Sequence, residues 1–123
     1  MEADRAEEII AWLISENYIN ESRYARQFAG GKFRIKKWGK ERIVFELRSR
    51  GLSPRCIADA MDEIEDKDYF YTLQDLVRKK ALDLREEKDA FIRRRKIARY
   101  LLGKGYASDD IHKALSDLNA GGS

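Results

Sequence analysis

One gapless internal alignment constrains this chain more than any other feature. Ile43 to Ile64 (IVFELRSRGLSPRCIADAMDEI) laid over Ile97 to Leu118 (IARYLLGKGYASDDIHKALSDL) pairs Leu47 with Leu101, Gly51 with Gly105, Ile57 with Ile111, Ala60 with Ala114 and Met61 with Leu115. Each copy reads as an amphipathic helix, a glycine free to take the left-handed conformation that stops a helix, and a short second helix. A unit this small cannot bury its own apolar face, so copies must pack on one another. The expected fold class is all-α, an elongated or curved helical array, and such arrays bind macromolecules along a surface. A fainter copy, Leu13 to Phe28, needs a one-residue shift and puts Asn17 in the glycine's place.

The rest of the chain is helical in pattern too. Pro54 is the only proline, and apolar residues recur at three- and four-residue steps. A first helix is expected from about Asp4 to Asn17, with Ile9, Ile10, Leu13 and Ile14 buried and Tyr18 and Ile19 turning inward after it. Asn20 is a good N-cap for a second helix, carrying Tyr24 and Phe28 and weakening at Gly30 and Gly31. Gly39 permits a turn into a helix that buries Ile43, Val44 and Leu47 and closes at Gly51. Ser53 and Pro54 open a short helix with Ile57, Ala60, Met61 and Ile64 inside. A long helix over about 68–84 should turn Phe70, Leu73, Leu76, Val77 and Leu84 inward. Another, about 89–103, buries Ile97 and Leu101, with Phe91 a further candidate. The last, Ser108 to Leu118, buries Ile111, Ala114, Leu115 and Leu118.

Charge decides which partners are plausible. A length of 123 residues with 43% hydrophobic content suits one domain with a modest core. Net charge is only +3 although 38% of residues are charged, so attraction to a polyanion has to come from clustering. Two clusters exist: Lys32, Arg34, Lys36, Lys37, Lys40 and Arg42 against the single acid Glu41, and Arg93, Arg94, Arg95, Lys96 and Arg99. Phe33 and Trp38 lie within the first, where they are read as packing residues before base-stacking platforms. No apolar run approaches the roughly 20 residues of a membrane span, the start is acidic, and Cys56 has no partner for an internal disulfide. The expected compartment is the cytoplasm.

Catalysis is not called for. His112 and Cys56 are far apart in sequence and each sits on an amphipathic helix, as a surface and a structural residue respectively. Asp62, Glu63, Glu65, Asp66 and Asp68 lack the spacing and central glycine of a calcium loop, and no glycine-rich phosphate loop occurs. No metal or cofactor is expected, and the chain is read as a binding protein and not an enzyme. Paired helices around a glycine turn can imitate a helix-turn-helix, which makes a stand-alone DNA-binding protein the alternative. Against it, Arg55 is the only base on the short second helix of the first copy.

The strings Tyr18-Ile19-Asn20-Glu21-Ser22-Arg23-Tyr24-Ala25-x-x-Phe28 and Gly39-x-x-x-Ile43-x-x-Glu46-Leu47-x-x-x-Gly51-Leu52 resemble segments of the RecX family of bacterial recombination regulators. Leu101-Leu102-x-x-Gly105-Tyr106 and Asp110-Ile111 resemble that family's closing segment. The match runs along nearly the whole chain in order and spacing, with Asn17 standing where glycine is usual and Asn20-Glu21 replacing an acidic pair. The resemblance implies tandem three-helix repeats: residues 1–19 the final helix of an incomplete first repeat, 20–66 a second, 67–118 a third, and 119–123 a flexible tail. It also implies a further N-terminal helical segment in usual members. As function, it implies a monomer that binds the RecA filament on single-stranded DNA and restrains RecA's ATP hydrolysis, strand exchange and coprotease activity. In that picture Lys32, Arg34, Lys36, Lys37, Lys40, Arg42, Arg93, Arg94, Arg95 and Lys96 touch DNA or RecA, through salt-dependent contacts that read no sequence.

Overall fold

The computed structural model describes residues 2–121, and the side-chain surroundings of residues 5–118. Six helices make up the described chain: α1 (Glu2–Lys36), α2 (Lys40–Ser49), α3 (Pro54–Met61), α4 (Asp66–Asp83), α5 (Ala90–Lys104) and α6 (Ser108–Gly121). The last helix thus runs on to Gly121, and residues 122 and 123 of the expected tail lie outside the described residues. The fold is all-α and repetitive. Its accessible surface of 8802 Å² exceeds the roughly 6,800 Å² of a compact monomer of this mass, as an extended stack of helices requires.

The repeat alignment is reproduced atom by atom at its turns. Gly51 (φ 82°) and Gly105 (φ 101°) are both left-handed. The N–H of Leu52 donates to Leu47 O (3.1 Å) and that of Gly51 to Arg48 O (2.9 Å), while Tyr106 donates to Leu101 O (3.1 Å) and Gly105 to Leu102 O (3.0 Å). This pair of bonds satisfies carbonyls that a helix end leaves free. The restarts are also as expected: Ser53 Oγ accepts from the Cys56 N–H at 3.2 Å with Pro54 at the first helical position, and Asp89 accepts from Phe91 and Ile92.

Packing follows from which faces the turns present. The short helix α3 lies on the C-terminal half of α1, where the small residues Ala25 and Ala29 let the backbones approach, and α6 lies on α4 in the same way. Ile43, Leu47, Cys56, Ile57, Leu73, Val77, Ile97, Leu101 and Ile111 form one buried cluster across both copies. The buried Cys56 thiol and the exposed His112 match their sequence readings.

Three expectations fail. The two helices read before residue 31 are a single one, α1, with Asn20, Gly30 and Gly31 in its interior. Burial of Ser22, Ala25 and Ala29 on the side packed by α3, and of Phe33 against Tyr69 of α4, outweighs the helix cost of two glycines, about 1 kcal/mol each. Ile9, Ile10, Leu13 and Ile14 are exposed by 53–65%, and Ile19, expected to turn inward, by 44%, because no described helix covers these side chains. On the later helices, Phe91 is exposed, and the inward aromatic of α4 is Tyr69, with Phe70 half-buried at the edge.

Candidate nucleic-acid interface

The start of α2 holds the first basic cluster in place. A helix leaves its first N–H groups without internal partners, and α2 has no side-chain cap. The far end of the chain supplies one: the Gly39 N–H donates to Lys104 O (2.8 Å) and the Glu41 N–H to Gly105 O (3.0 Å), while the Lys40 N–H donates to the Tyr69 hydroxyl (2.9 Å). Such contact needs bare backbones. A Cβ on Gly39 would stand 2.2 Å from the Gly105 carbonyl carbon, and one on Gly105 would stand 2.6 Å from the Arg42 nitrogen.

Aromatic rings fill the space beneath this junction. Phe33, Tyr69 and Tyr106 are buried, with ring centroids 5.8 Å apart for Phe33–Tyr69 and 5.2 Å for Tyr69–Tyr106. The Tyr106 hydroxyl donates to Lys37 O at 2.9 Å, which helps hold Lys37 at φ 59°, where a non-glycine residue is costly. Burial pushes the Tyr69 hydroxyl up to about 12 and raises that of Tyr106 as well. Both phenols are therefore neutral donors or acceptors at ordinary pH.

Around this floor three cations of the first cluster, Lys32, Lys40 and Arg42, settle on aromatic faces, whereas Arg34 lies on the other side of α1 with Arg23 and Arg26. Lys32 Nζ stands 5.0 Å from the Trp38 ring centroid and 5.6 Å from that of Phe28, and the Arg42 guanidinium lies 4.0 Å from Trp38. Lys40 Nζ is 4.6 Å over Tyr69 and 3.4 Å from the Asp66 carboxylate. Cation–ring attraction of this kind keeps the charge and orders the side chain. Phe33 is core, and Trp38 is half-buried with a guanidinium on its ring, so neither presents a free face for a base. Lys36 and Lys37 are exposed, and Lys104 Nζ donates to the Lys36 carbonyl at 3.0 Å.

The second cluster occupies the opening turns of α5. Arg93 Nη1 donates to Glu87 O (2.9 Å), Lys96 Nζ pairs with the Glu87 carboxylate (3.4 Å), Arg95 lies 5.9 Å over Phe91, and Arg94 is exposed. From Arg94 to Lys104, at the first cluster, is about 15 Å of helix rise. The structure therefore places the two clusters at opposite ends of α5. Residues missed in the sequence lie between them: Tyr100 carries Lys80 at 4.5 Å and Lys104 at 5.6 Å over its ring. Nothing local in the sequence connects Lys80 with Lys104, because they come from two helices that share one tyrosine.

The described residues include no group of three or more His, Cys, Asp or Glu side chains placed to hold a metal ion, and no helix long and apolar enough to cross a membrane. What the two clusters offer is positive charge, most of it without a carboxylate partner.

Comparison with known proteins agrees with this architecture. The family model for the second three-helix domain of RecX matches residues 20–61, and that for the third three-helix domain matches residues 67–115. A regulatory protein RecX of Clostridium perfringens is 31% identical over 109 residues, which is 88% of this chain and 50% of that protein. One from Salmonella heidelberg is 32% identical over 111 residues, covering 90% and 64% respectively. The chain thus spans about half to two thirds of the length of these relatives. The crystal structure of RecX from Lactobacillus salivarius superimposes with a TM-score of 0.76 at 26% identity, covering 95% of this chain and 75% of that one.

Proposed function

The chain belongs to the RecX family, and from that premise we propose that it binds the RecA filament on single-stranded DNA and restrains RecA's ATP hydrolysis, strand exchange and coprotease activity. It acts by occupying a surface and performs no catalysis of its own. Residues 1–19 are assigned on this reading to the last helix of a further repeat, consistent with the exposed Ile9, Ile10, Leu13 and Ile14.

One observation carries the binding proposal. Of Lys32, Arg34, Lys36, Lys37, Lys40, Arg42, Arg93, Arg94, Arg95 and Lys96, only Lys40 and Lys96 have a carboxylate within ion-pair distance among the described residues. The others are held by backbone or aromatic contacts or stand exposed, with their charge uncompensated. Surface cations arranged in this way release counterions when they meet a phosphate backbone, giving affinity that falls with salt.

Charge reversal at Lys36, Lys37 and Arg42 together with Arg93 and Arg95 tests the assignment, read by co-pelleting with RecA filaments on single-stranded DNA. Loss of at least about tenfold in affinity, with a shallower salt dependence, is expected. Unchanged pelleting by a correctly folded variant rejects the assigned surface. Equal affinity for bare single-stranded DNA and for filaments favours a stand-alone DNA-binding protein instead.

A further inference from the structure

A second basic site lies on the opposite side of α1 from the Lys32–Trp38–Arg42 face. Arg23, Arg26 and Arg34 line a groove of about 470 Å³ together with Gln27 and, from the turn after α3, Glu63. At three- and four-residue steps, Arg23, Arg26, Gly30 and Arg34 share one helix face, roughly 160° around from Lys32 at 100° per residue. Clustering in sequence assigns Arg34 to the first basic group and leaves out Arg23 and Arg26, because the three arginines are spread over twelve positions and come together only on the helix face.

Gly30 shapes this groove. A Cβ there would come within 2.4 Å of Arg34 Nη2 and 3.0 Å of its Cζ, so the guanidinium lies against bare helix backbone. Long helical side chains lean toward the N-terminus, which brings the Arg34 charge back toward Gln27 and Arg26. The nearby Asp59 carboxylate accepts from the Tyr18 hydroxyl and from Ser22 Oγ; these donors hold it below the usual carboxylate range, helped by the charge of Arg26, so it stays ionised beside the groove without forming an ion pair with any of the three arginines. Among the described residues, none of the three arginines has a carboxylate within ion-pair distance. Three arginines therefore line the groove against the Glu63 carboxylate, with the Asp59 charge beside Arg26, which leaves the groove with excess positive charge.

The geometry points to a phosphate-binding groove that takes the sugar–phosphate backbone of single-stranded nucleic acid. Guanidinium forks match phosphate oxygens in pairs, and Arg23 to Arg34 extends about 16 Å along the helix, a track for a regular polyanion and longer than one isolated anion needs. An acidic peptide is disfavoured because the groove's hydroxyls, Tyr18 and Ser22, are already committed to Asp59 and are not free to bond a peptide backbone. This inference rests on the proposed role at a DNA-bearing filament, and adds that α1 meets nucleic acid on a face separate from the Trp38 side.

The test is fluorescence anisotropy of labelled oligo(dT) with the full chain at 50 and 200 mM salt, paired with filament pelleting. Replacing Arg23, Arg26 and Arg34 by Gln should lower affinity at 50 mM at least about tenfold and reduce the log–log salt slope by about two, at roughly 0.7 per lost phosphate contact. Gly30→Ala retains every charge and raises helix propensity, yet displaces the Arg34 guanidinium. It should weaken oligo(dT) binding about threefold, the share of one phosphate contact over this salt range, with thermal stability equal or higher. A folded triple variant with unchanged slope, set beside a Lys36→Gln, Lys37→Gln, Arg42→Gln variant with a reduced one, overturns the groove and leaves the filament reading standing. Wild-type chain that pellets with filaments but has no oligo(dT) affinity also overturns it, giving the groove to a protein partner. Absence of both activities removes the functional reading with it.

Discussion

Gly51 and Gly105 occupy the same position in two copies of one unit, with the same left-handed backbone and the same pair of closing hydrogen bonds. They differ in what surrounds them. A Cβ at Gly51 would meet nothing within 4 Å, whereas one at Gly105 would strike the Arg42 backbone and side chain. Gly51 ends a helix and does no more. Gly105 ends a helix and also caps the start of α2, so the second copy's turn joins the units and fixes the first basic cluster. A glycine that looks like punctuation in sequence can thus be a contact point between elements more than 60 residues apart.

That contrast is most sharply tested by substituting each glycine. Gly105→Ala combines left-handed strain with backbone overlap and should cost about 4 kcal/mol or more, measured by urea unfolding. Gly39→Ala, on the facing side of the same contact, has no left-handed strain but places its Cβ against the Gly105 backbone. A loss of about 3 kcal/mol is expected. Gly51→Ala should cost only the left-handed penalty, about 1–2 kcal/mol. Equal losses at Gly51 and Gly105 would show that the interhelical contact contributes little.

Smaller effects sharpen the same comparison. Leu52 follows Gly51 where Tyr106 follows Gly105, so only the second joint has a hydroxyl bond to the chain after α1. Tyr106→Phe leaves the Lys37 carbonyl without that donor and should cost about 1 kcal/mol. The pH dependence has a definite sign. Tyr69 ionises near 10 when unfolded and near 12 when folded, so its contribution is fully present below pH 10 and lost as pH rises from 10 to 12. Alkaline titration followed by circular dichroism should show loosening in that window, with no counterpart from the Gly51 joint.

Sequence legibility divides along the same line. The turns, the Ser53–Pro54 and Asp89 helix starts and the alternating core of α2, α3, α5 and α6 were readable because neighbours within four or five residues determine them. The single long α1 was not, since Asn20 and Gly30 are poor helix residues locally and their cost is offset by packing on α3, which begins only at Pro54. Tyr69 and Tyr106 were not assigned to one buried aromatic cluster, because periodicity gives a face and not a partner. For the candidate surface, clustering in sequence located Lys32 to Arg42 and Arg93 to Lys96. It could not show that the two groups stand about 15 Å apart along α5, nor find the Arg23–Arg26–Arg34 groove, whose members are adjacent only on the folded helix.

The most direct test of the proposed role is DNA-dependent ATP hydrolysis by RecA on single-stranded DNA, with this chain titrated in at two salt concentrations. Dose-dependent inhibition at substoichiometric protein, weaker at the higher salt, is the expected result. A folded chain that leaves hydrolysis unchanged at both salts, even in excess over RecA, contradicts it.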